Sequence, residues 1–409
     1  MVCVTSWIEI SDERLRENYR ALVATAGAGT AGAGTAVLGV VKANAYGHGL
    51  SRCARVLAEA GAGWLGVTGV EEGLTVRAAL AQTAEQPRVL VMCGLCEQDA
   101  EAMVQAELTP VVWSVEQIGW LEAAAVRLGC AQAVRVHMEI DSGMTRQGVR
   151  PGAELAGVLA ALRESGRVRL EGLMTHFASA EVAGSRQTVG QRRQFEAALA
   201  QVRAAGFVPE WIHAGNTSAV DVGEVEGKGQ SAELDAVAWV RRVAEGAKTL
   251  VRPGLALYGY CLPMELEGVQ AVSRLQGKVK PVMTWKAKVI GLTEVGVGDA
   301  VGYNGTYVAE RPLRVALLGV GYADGLRREL SSSNARAGGW VMVQGKRAPM
   351  VGRISMNLTS VDVTGIAGVR LGDEVVVLGD GVTAEDHAGL AGTIAYEILC
   401  GVRAVEQVG

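Results

Sequence analysis

The sequence predicts an α/β chain, an eight-stranded (β/α)8 TIM-type barrel followed by a mostly β C-terminal domain. Three observations carry this expectation. Short apolar runs alternate with amphipathic stretches eight times along the first part of the chain, and eight β/α units is the number that closes a barrel. After about residue 275 the texture changes to strands separated by Gly- and Asp-bearing turns. The 409 residues also exceed one average domain of roughly 150 residues.

In chain order, Ser11-Asp-Glu-Arg opens a helix. Ser11 can cap it, two acids face its positive end, and Leu15, Tyr19 and Leu22 form one apolar stripe. The Ala/Gly/Thr stretch over 27–34 reads as a flexible loop. Val37-Leu-Gly-Val-Val is then a short strand buried on both faces. Further strands are expected at Trp64-Leu-Gly-Val, Arg88-Val-Leu-Val-Met, Pro110-Val-Val-Trp, Val134 to Ile140, Leu170 to Met174, Trp211-Ile-His and Leu250-Val-Arg. Amphipathic segments at 49–60, 71–82, 115–128, 151–164 and 189–205 lie between them. Periodicity does not reveal closure, so an open doubly wound sheet fits the same alternation.

In the second part, strands are expected at 279–295, 313–320, 340–343, 349–354, 358–363 and 374–378, with only 383–399 helical. The first ten residues can add a strand to this domain. The division is therefore a barrel over 11–270 and a β-rich domain over 271–409 plus 1–10.

Composition excludes several classes. The charge, 39 basic against 43 acidic residues, gives −4 with no basic block, so no nucleic-acid footprint or polybasic membrane patch is expected. No run approaches 18 apolar residues, so no transmembrane helix is indicated. The start, Met1-Val-Cys-Val-Thr-Ser-Trp, lacks the basic region of a signal peptide. Seven cysteines, an odd number, fit reduced thiols in a cytoplasmic protein. Cys93-Gly-Leu-Cys96 has zinc or redox spacing, but a structural zinc site needs a second ligand pair at similar spacing; no metal site is expected. Glycine is high, 54 residues, without a collagen period. It produces two G-x-G-x-x-G matches, Gly27 to Gly32 and Gly61 to Gly66. Dinucleotide binding requires strand before and helix after, and both matches have the reverse order.

The first barrel strand runs into Lys42, within Val40-Val-Lys-Ala-Asn-Ala-Tyr-Gly-His-Gly49. The C-terminal rim of barrel strands is where barrel enzymes keep their chemistry, and desolvation there favours the neutral amine that a Schiff base needs. A lysine merely snorkelling at a strand end is the bland alternative. The decapeptide resembles the pyridoxal-phosphate lysine motif of alanine racemases. The resemblance continues through Met174-Thr-His-Phe-Ala, His213-Ala-Gly-Asn-Thr, Val251-Arg-Pro-Gly-Leu-Ala-Leu-Tyr-Gly, Val301-Gly-Tyr-Asn-Gly-Thr-Tyr, Gly321-Tyr-Ala-Asp-Gly, Val351-Gly-Arg-Ile-Ser-Met-Asn and Thr393-Ile-Ala-Tyr-Glu, in the family's order over nearly the whole chain.

The resemblance implies a pyridoxal 5'-phosphate enzyme that interconverts L- and D-alanine with two bases, Lys42 on the D face and Tyr303 on the L face. A second base is required because removing and returning a proton on one face restores the original enantiomer. A free phenol has a pKa of about 10, so a tyrosine in this role needs positive charge or hydrogen bonds nearby. Arg252 matches the arginine facing the pyridine nitrogen; a guanidinium disfavours full protonation there and limits side reactions such as transamination. Tyr46 and Tyr396 match phosphate-contacting tyrosines. Asn216, Thr217, Gly254 and Leu255 fall in the cofactor-binding segments, with Thr217 giving a hydroxyl and Gly254 and Leu255 backbone N–H groups. His176 matches the histidine beside the cofactor ring. Arg146 and the Met356 backbone match substrate contacts, and Tyr322 lines the substrate's way in. In the family Tyr303, Met356 and Tyr322 come from a partner subunit, which implies a homodimer. His48, His137, His213 and His387 are expected to be structural.

Three departures stand out. Glu139 occupies the place of a lysine that is carbamylated in many members, and can orient Arg146 by a charge-assisted hydrogen bond. Asn357 replaces a common aspartate. The stretch from 221 to 240 reads as a surface insertion. A broader-specificity or serine racemase fits the same motifs, because one hydroxyl in a small pocket is worth only about 1–3 kcal/mol. A barrel-type decarboxylase lacks its cysteine-bearing motif here, and a single-barrel pyridoxal-phosphate carrier lacks a β domain. A biosynthetic cytoplasmic role, supplying D-alanine for peptidoglycan, is the expectation.

Overall fold

Eight parallel strands close on themselves in the computed structural model, which describes residues 5–27, 34–182, 184–222, 235–266, 269–270 and 273–406. The described residues fall into two compact units, one within 15–45 and 49–279, the other within 1–14, 46–48 and 280–409.

In the first unit the barrel is β2 (Ala36–Val40), β3 (Trp64–Val67), β4 (Arg88–Val91), β5 (Thr109–Val112), β6 (Val134–Glu139), β7 (Val168–Met174), β8 (Trp211–His213) and β9 (Lys248–Val251), counting Ser6–Ile10 as β1. Closure is made by β2 against β9, through Ala36↔Leu250 and Val37↔Val251, which rules out the open sheet. The strands are short and rich in Val and Leu because both faces are covered, the outer one by helices. All eight fall where alternation predicts them.

Helices Leu50–Glu59, Val70–Leu80, Ala100–Gln105, Val115–Arg127, Ala153–Glu164, Arg186–Ala204 and Ala236–Ala244 follow successive strands. Side chains cap two of these starts. Ser114 accepts from the Gln117 amide at 3.4 Å, and Gln117 accepts in turn from the Ser114 amide. Asp235 accepts from the amides of Val237 and Ala238, both at 2.9 Å. That last helix corrects the reading of 221–240 as a surface insertion. Residues 236–240 form a core helix carrying fully buried Trp239, and Asp221 ends the helix Thr217–Asp221 as a buried carboxylate accepting from Ser273 and Leu275. The remainder, 223–234, lies outside the described residues, as does most of the 27–34 loop.

The second unit is built around one long strand, Met283–Val295. β1 pairs antiparallel with it, Ile8 opposite Trp285, so the first residues do add a strand. Glu374–Leu378 and Leu313–Leu318 flank the same strand, with register shifts at Trp285/Lys286 and Val289/Gly291 that bend it enough to serve both. Trp340–Val343 and Lys346–Pro349 form a hairpin on Glu374–Leu378, and Thr359–Asp362 pairs with Leu313–Leu318. The strand expected at 349–354 is displaced to 346–349. The expected helix over 383–399 is two, Ala384–Ala391 and Ala395–Gly401, split where Gly392 adopts a left-handed cap.

Candidate active site

Lys42 does not simply finish a strand. It opens a one-turn segment in which Ala43, Asn44, Ala45 and Tyr46 all have φ of 53–54°. A left-handed turn of non-glycine residues costs about 1–2 kcal/mol per residue, so something must hold it. Glu72 does: one carboxylate oxygen accepts from the Ala43 amide and the other from the Thr68 amide, each at 2.7 Å. Asn44 adds a second anchor through its side-chain oxygen, which accepts from Leu50 at 2.8 Å. The lysine is thereby delivered, half-buried, at the C-terminal rim of β2.

Arg252, just past β9, is almost completely buried. Its guanidinium donates to His213 Nδ1 at 2.9 Å and to the Thr175 carbonyl at 2.7 Å. Burial pushes it down to about 10, so it stays a cation near neutrality. His176, past β7, is pushed down to about 3 by burial and by the positive charges of Arg252, Arg146 and Lys42, and is therefore neutral. The same rim holds the buried Thr217 hydroxyl, which accepts from the amides of Gly254 and Ala256, both at 3.2 Å. Leu255 lies between them and starts a 3-10 turn, and Asn216 caps the Thr217 helix by accepting from Ala219 at 3.1 Å. A hydroxyl and loop amides gathered beside a lysine and a buried arginine suit a phosphate-bearing pyridine aldehyde: amides for the dianion, a cation for the ring nitrogen and an amine for the carbonyl.

Arg146 is placed by a turn in which Asp141 accepts from the amides of Gly143, Met144 and Thr145. The expectation that Glu139 grips Arg146 is not met. Glu139 is buried and accepts from Gln147, which also donates to the Met92 carbonyl at 2.8 Å; Arg146 itself is exposed. A glutamate reaches less far than a carbamylated lysine, and the neighbouring glutamine takes up the difference. Burial raises the Glu139 pKa, against the pull of Gln147, Arg252 and Arg146.

The remaining predicted residues belong to the second unit. Tyr46 and Tyr396 lie together, ring centroids 5.8 Å apart. Burial, then the neighbouring Tyr396 and Cys400, push the Tyr46 phenol well up, so it acts as a neutral hydroxyl. Tyr303, Tyr322 and Met356 share one end of the β domain. The Ala323 amide donates to the Met356 carbonyl at 2.8 Å, and Gly352, at φ +75°, brings its backbone against the Val301 carbonyl two residues before Tyr303. A Cβ on Gly352 would sit 2.4 Å from that oxygen, so only glycine permits this approach. All three are exposed in the isolated chain, Tyr303 at 64%, and so is Asn357. Cys93 and Cys96 are exposed free thiols following β4.

Sequence reasoning left His137 and His213 as structural and did not single out Glu171. The structure joins them to Arg252 in one file inside the barrel. His213 Nε2 lies 2.8 Å from His137 Nδ1, and His137 Nε2 lies 3.3 Å from Glu171, which is gripped by Arg88 at 2.8 and 2.5 Å. The signal was present. Strand period two puts Arg135, His137 and Glu139 on one face of β6, an odd set where barrel interiors normally take Val, Ile and Leu.

Comparison with known proteins agrees with this fold. The family model described as "Alanine racemase, N-terminal domain" matches residues 10–262, and that of the C-terminal domain matches 282–408. An alanine racemase of Sorangium cellulosum is 36% identical over 406 residues, covering 96% of each chain. The solved alanine racemase of Streptomyces coelicolor A3(2) superposes with a TM-score of 0.83 at 32% identity, covering 99% of this chain and 97% of the other. The alanine racemase of Bartonella henselae, solved with covalently bound pyridoxal phosphate, shares the fold at a TM-score of 0.77 and 24% identity, over 99% of each chain. Matched by family models over both of its units, the chain belongs to the alanine racemase family.

Proposed function

We propose that this chain racemises alanine with pyridoxal 5'-phosphate held at the barrel rim, using Lys42 and Tyr303 as opposed bases. The carrying observation is the rim itself, where Lys42, neutral His176, cationic Arg252 and the Thr217–Gly254–Leu255 donors occupy the C-terminal ends of strands of one barrel. When bound, the cofactor supplies an electron-withdrawing ring that acidifies the substrate Cα–H. The chain's residues do the rest. Lys42 holds or returns a proton at its Nζ, and Tyr303 does so at its phenolic oxygen. Arg252, held by its hydrogen bonds to His213 and Thr175, would offer a cationic donor to the ring nitrogen. Thr217, the Gly254 and Leu255 amides, Tyr46 and Tyr396 bind phosphate; Asn216 caps the helix that presents Thr217. Arg146 and the Met356 backbone orient the substrate carboxylate, and Tyr322 borders the way in.

Exposed Tyr303, Tyr322 and Met356 support a homodimer in which each β domain completes its partner's site, since an apolar and aromatic patch of this kind is seldom left to solvent. The reading places the protein in the cytoplasm, supplying D-alanine for peptidoglycan. Cys93, Cys96 and Cys130 are free thiols, and among the described residues no helix is long and apolar enough to cross a membrane. The test is to purify the full chain, record an absorbance near the visible edge that borohydride removes, and assay D-enantiomer formation from alanine and from serine separately. Absence of both bound cofactor and racemisation overturns the reading; faster turnover of serine replaces its substrate.

A further inference from the structure

The file inside the barrel has two ends of fixed character. Arg252 can only donate, so His213 Nδ1 must accept and its proton sits on Nε2. That Nε2–H donates to His137 Nδ1, which leaves the His137 proton on Nε2, facing Glu171. The Glu171 carboxylate can only accept. It carries the bidentate grip of Arg88 and a longer contact from Arg135 at 3.4 Å, both from the strand-start side of the barrel. A chain with a donor at one end and an acceptor at the other admits one proton arrangement, with both imidazoles neutral.

The surroundings are built to keep this arrangement. His137 and His213 are fully buried, and burial lowers both below the ordinary histidine value. The Trp64 ring lies 5.3 Å from His137 and 5.5 Å from the Trp211 ring, and Arg88 stacks over Trp64 at 4.2 Å, so aromatic faces wall the file from water. Gly172 makes room for it: a Cβ there would meet the His137 ring at 2.6 Å.

We propose that Glu171 is a positioning residue for Arg252, acting through His137 and His213 so that the guanidinium is held in one orientation by a hydrogen-bonded file anchored on the opposite side of the barrel. Removing the Glu171 acceptor frees His137 to turn or exchange tautomers. His213 then loses its fixed partner, and the Nδ1 acceptor that holds Arg252 is no longer guaranteed. The role assigned to Arg252 at the ring nitrogen rests on the proposed function; the proton arrangement of the file does not.

The test uses full-length protein labelled with 15N-histidine, with and without cofactor, in the wild type, Glu171→Gln and Glu171→Leu. In the wild type His137 and His213 are expected as neutral Nε2–H tautomers even in solution at a pH of about 6.5, where an ordinary histidine is half protonated. Glu171→Gln keeps an acceptor oxygen and should retain both tautomers and most of kcat. Glu171→Leu should lose the single tautomer, shift the bound cofactor's absorption band, and lower kcat by about 10- to 100-fold, the range seen when partners that orient a ligating histidine are removed. A purely structural role would lower thermal stability in both variants and leave tautomers, absorption band and kcat of the folded fraction unchanged, and that outcome overturns the proposal. If Glu171→Leu fails to fold, the wild type alone still decides: a protonated or Nδ1–H His213 overturns it. A protein that binds no cofactor yet shows the fixed tautomers defeats the functional reading and leaves the file standing.

Discussion

The two units handle their functional groups in opposite ways. At the barrel rim every predicted polar group but Arg146 is buried or half-buried, and hydrogen bonds from strand ends and loops fix the Lys42 turn, Arg252 and Thr217 in place. At one end of the β domain Tyr303, Tyr322 and Met356 are exposed, on loops whose backbone is pinned by hydrogen bonds such as Ala323 to the Met356 carbonyl. The barrel is preorganised by its own interior, whereas the β domain leaves its groups in solvent, where the proposed homodimer would cover them. Preorganised charges are worth most in a site that excludes water, and side chains in solvent gain little until they are covered.

The largest expected effect breaks the barrel side. Lys42→Ala should abolish borohydride-sensitive absorbance and lower racemisation by more than about 10⁴-fold, since it removes both attachment point and base. Retained racemisation would separate the lysine from the chemistry. Tyr303→Phe should leave the absorbance intact and lower racemisation by about 10²–10⁴-fold, the usual contribution of one general acid or base. A fully active Phe variant would refute the assignment of the second base.

A subtler comparison uses pH. Burial pushes His176 in the barrel down to about 3 and His387 in the β domain down to about 4. Unfolded histidine takes up its proton near 6.5, so below that value the unfolded chain binds more protons than the folded one, and stability falls as pH falls. The contribution is complete above about 6.5 and is lost towards pH 3–4. Glu171 adds to the acid end. Although burial opposes it, hydrogen bonds from His137 and Arg88 hold it at about 2, so its share is lost as pH drops from about 4.3 towards 2. Chemical denaturation at stepped pH should show a midpoint declining from pH 6.5 downward, with a shallower decline in His387→Gln if the β domain limits stability. A flat profile would mean that these histidines are not kept neutral. The smallest expected effect is none: added bicarbonate should leave the rate unchanged, because Glu139 cannot be carbamylated, and stimulation would contradict its pairing with Gln147.

Most of the fold was legible because apolar strand runs and amphipathic helices have distinct periods, and each barrel strand needed burial on both faces. The strand at 346–349 was missed because Lys346 and Arg347 face solvent in a hairpin, where pattern carries little information. The place of Lys42, Arg252 and Thr217 past the ends of barrel strands was legible, but the handedness of the turn after Lys42 was not. Alanine and tyrosine do not announce a positive φ, and Glu72, remote in sequence, helps to make it tolerable. The helix at 236–244 was obscured by the polar, glycine-rich residues before it. The role of Glu139 depended on a partner one residue away from the expected one, a distinction of side-chain reach that spacing cannot express.

That left-handed turn also sets an order of events during folding. Four L-residues do not hold a left-handed turn unaided, and the carboxylate that holds this one sits 29 residues downstream on the helix after β3. Closing that loop carries an entropic cost that is recovered only once β2, β3 and the helix after β3 have met. In a nascent chain Lys42 therefore has no fixed presentation before those elements meet. The turn that presents Lys42 is fixed when the first two β/α units dock.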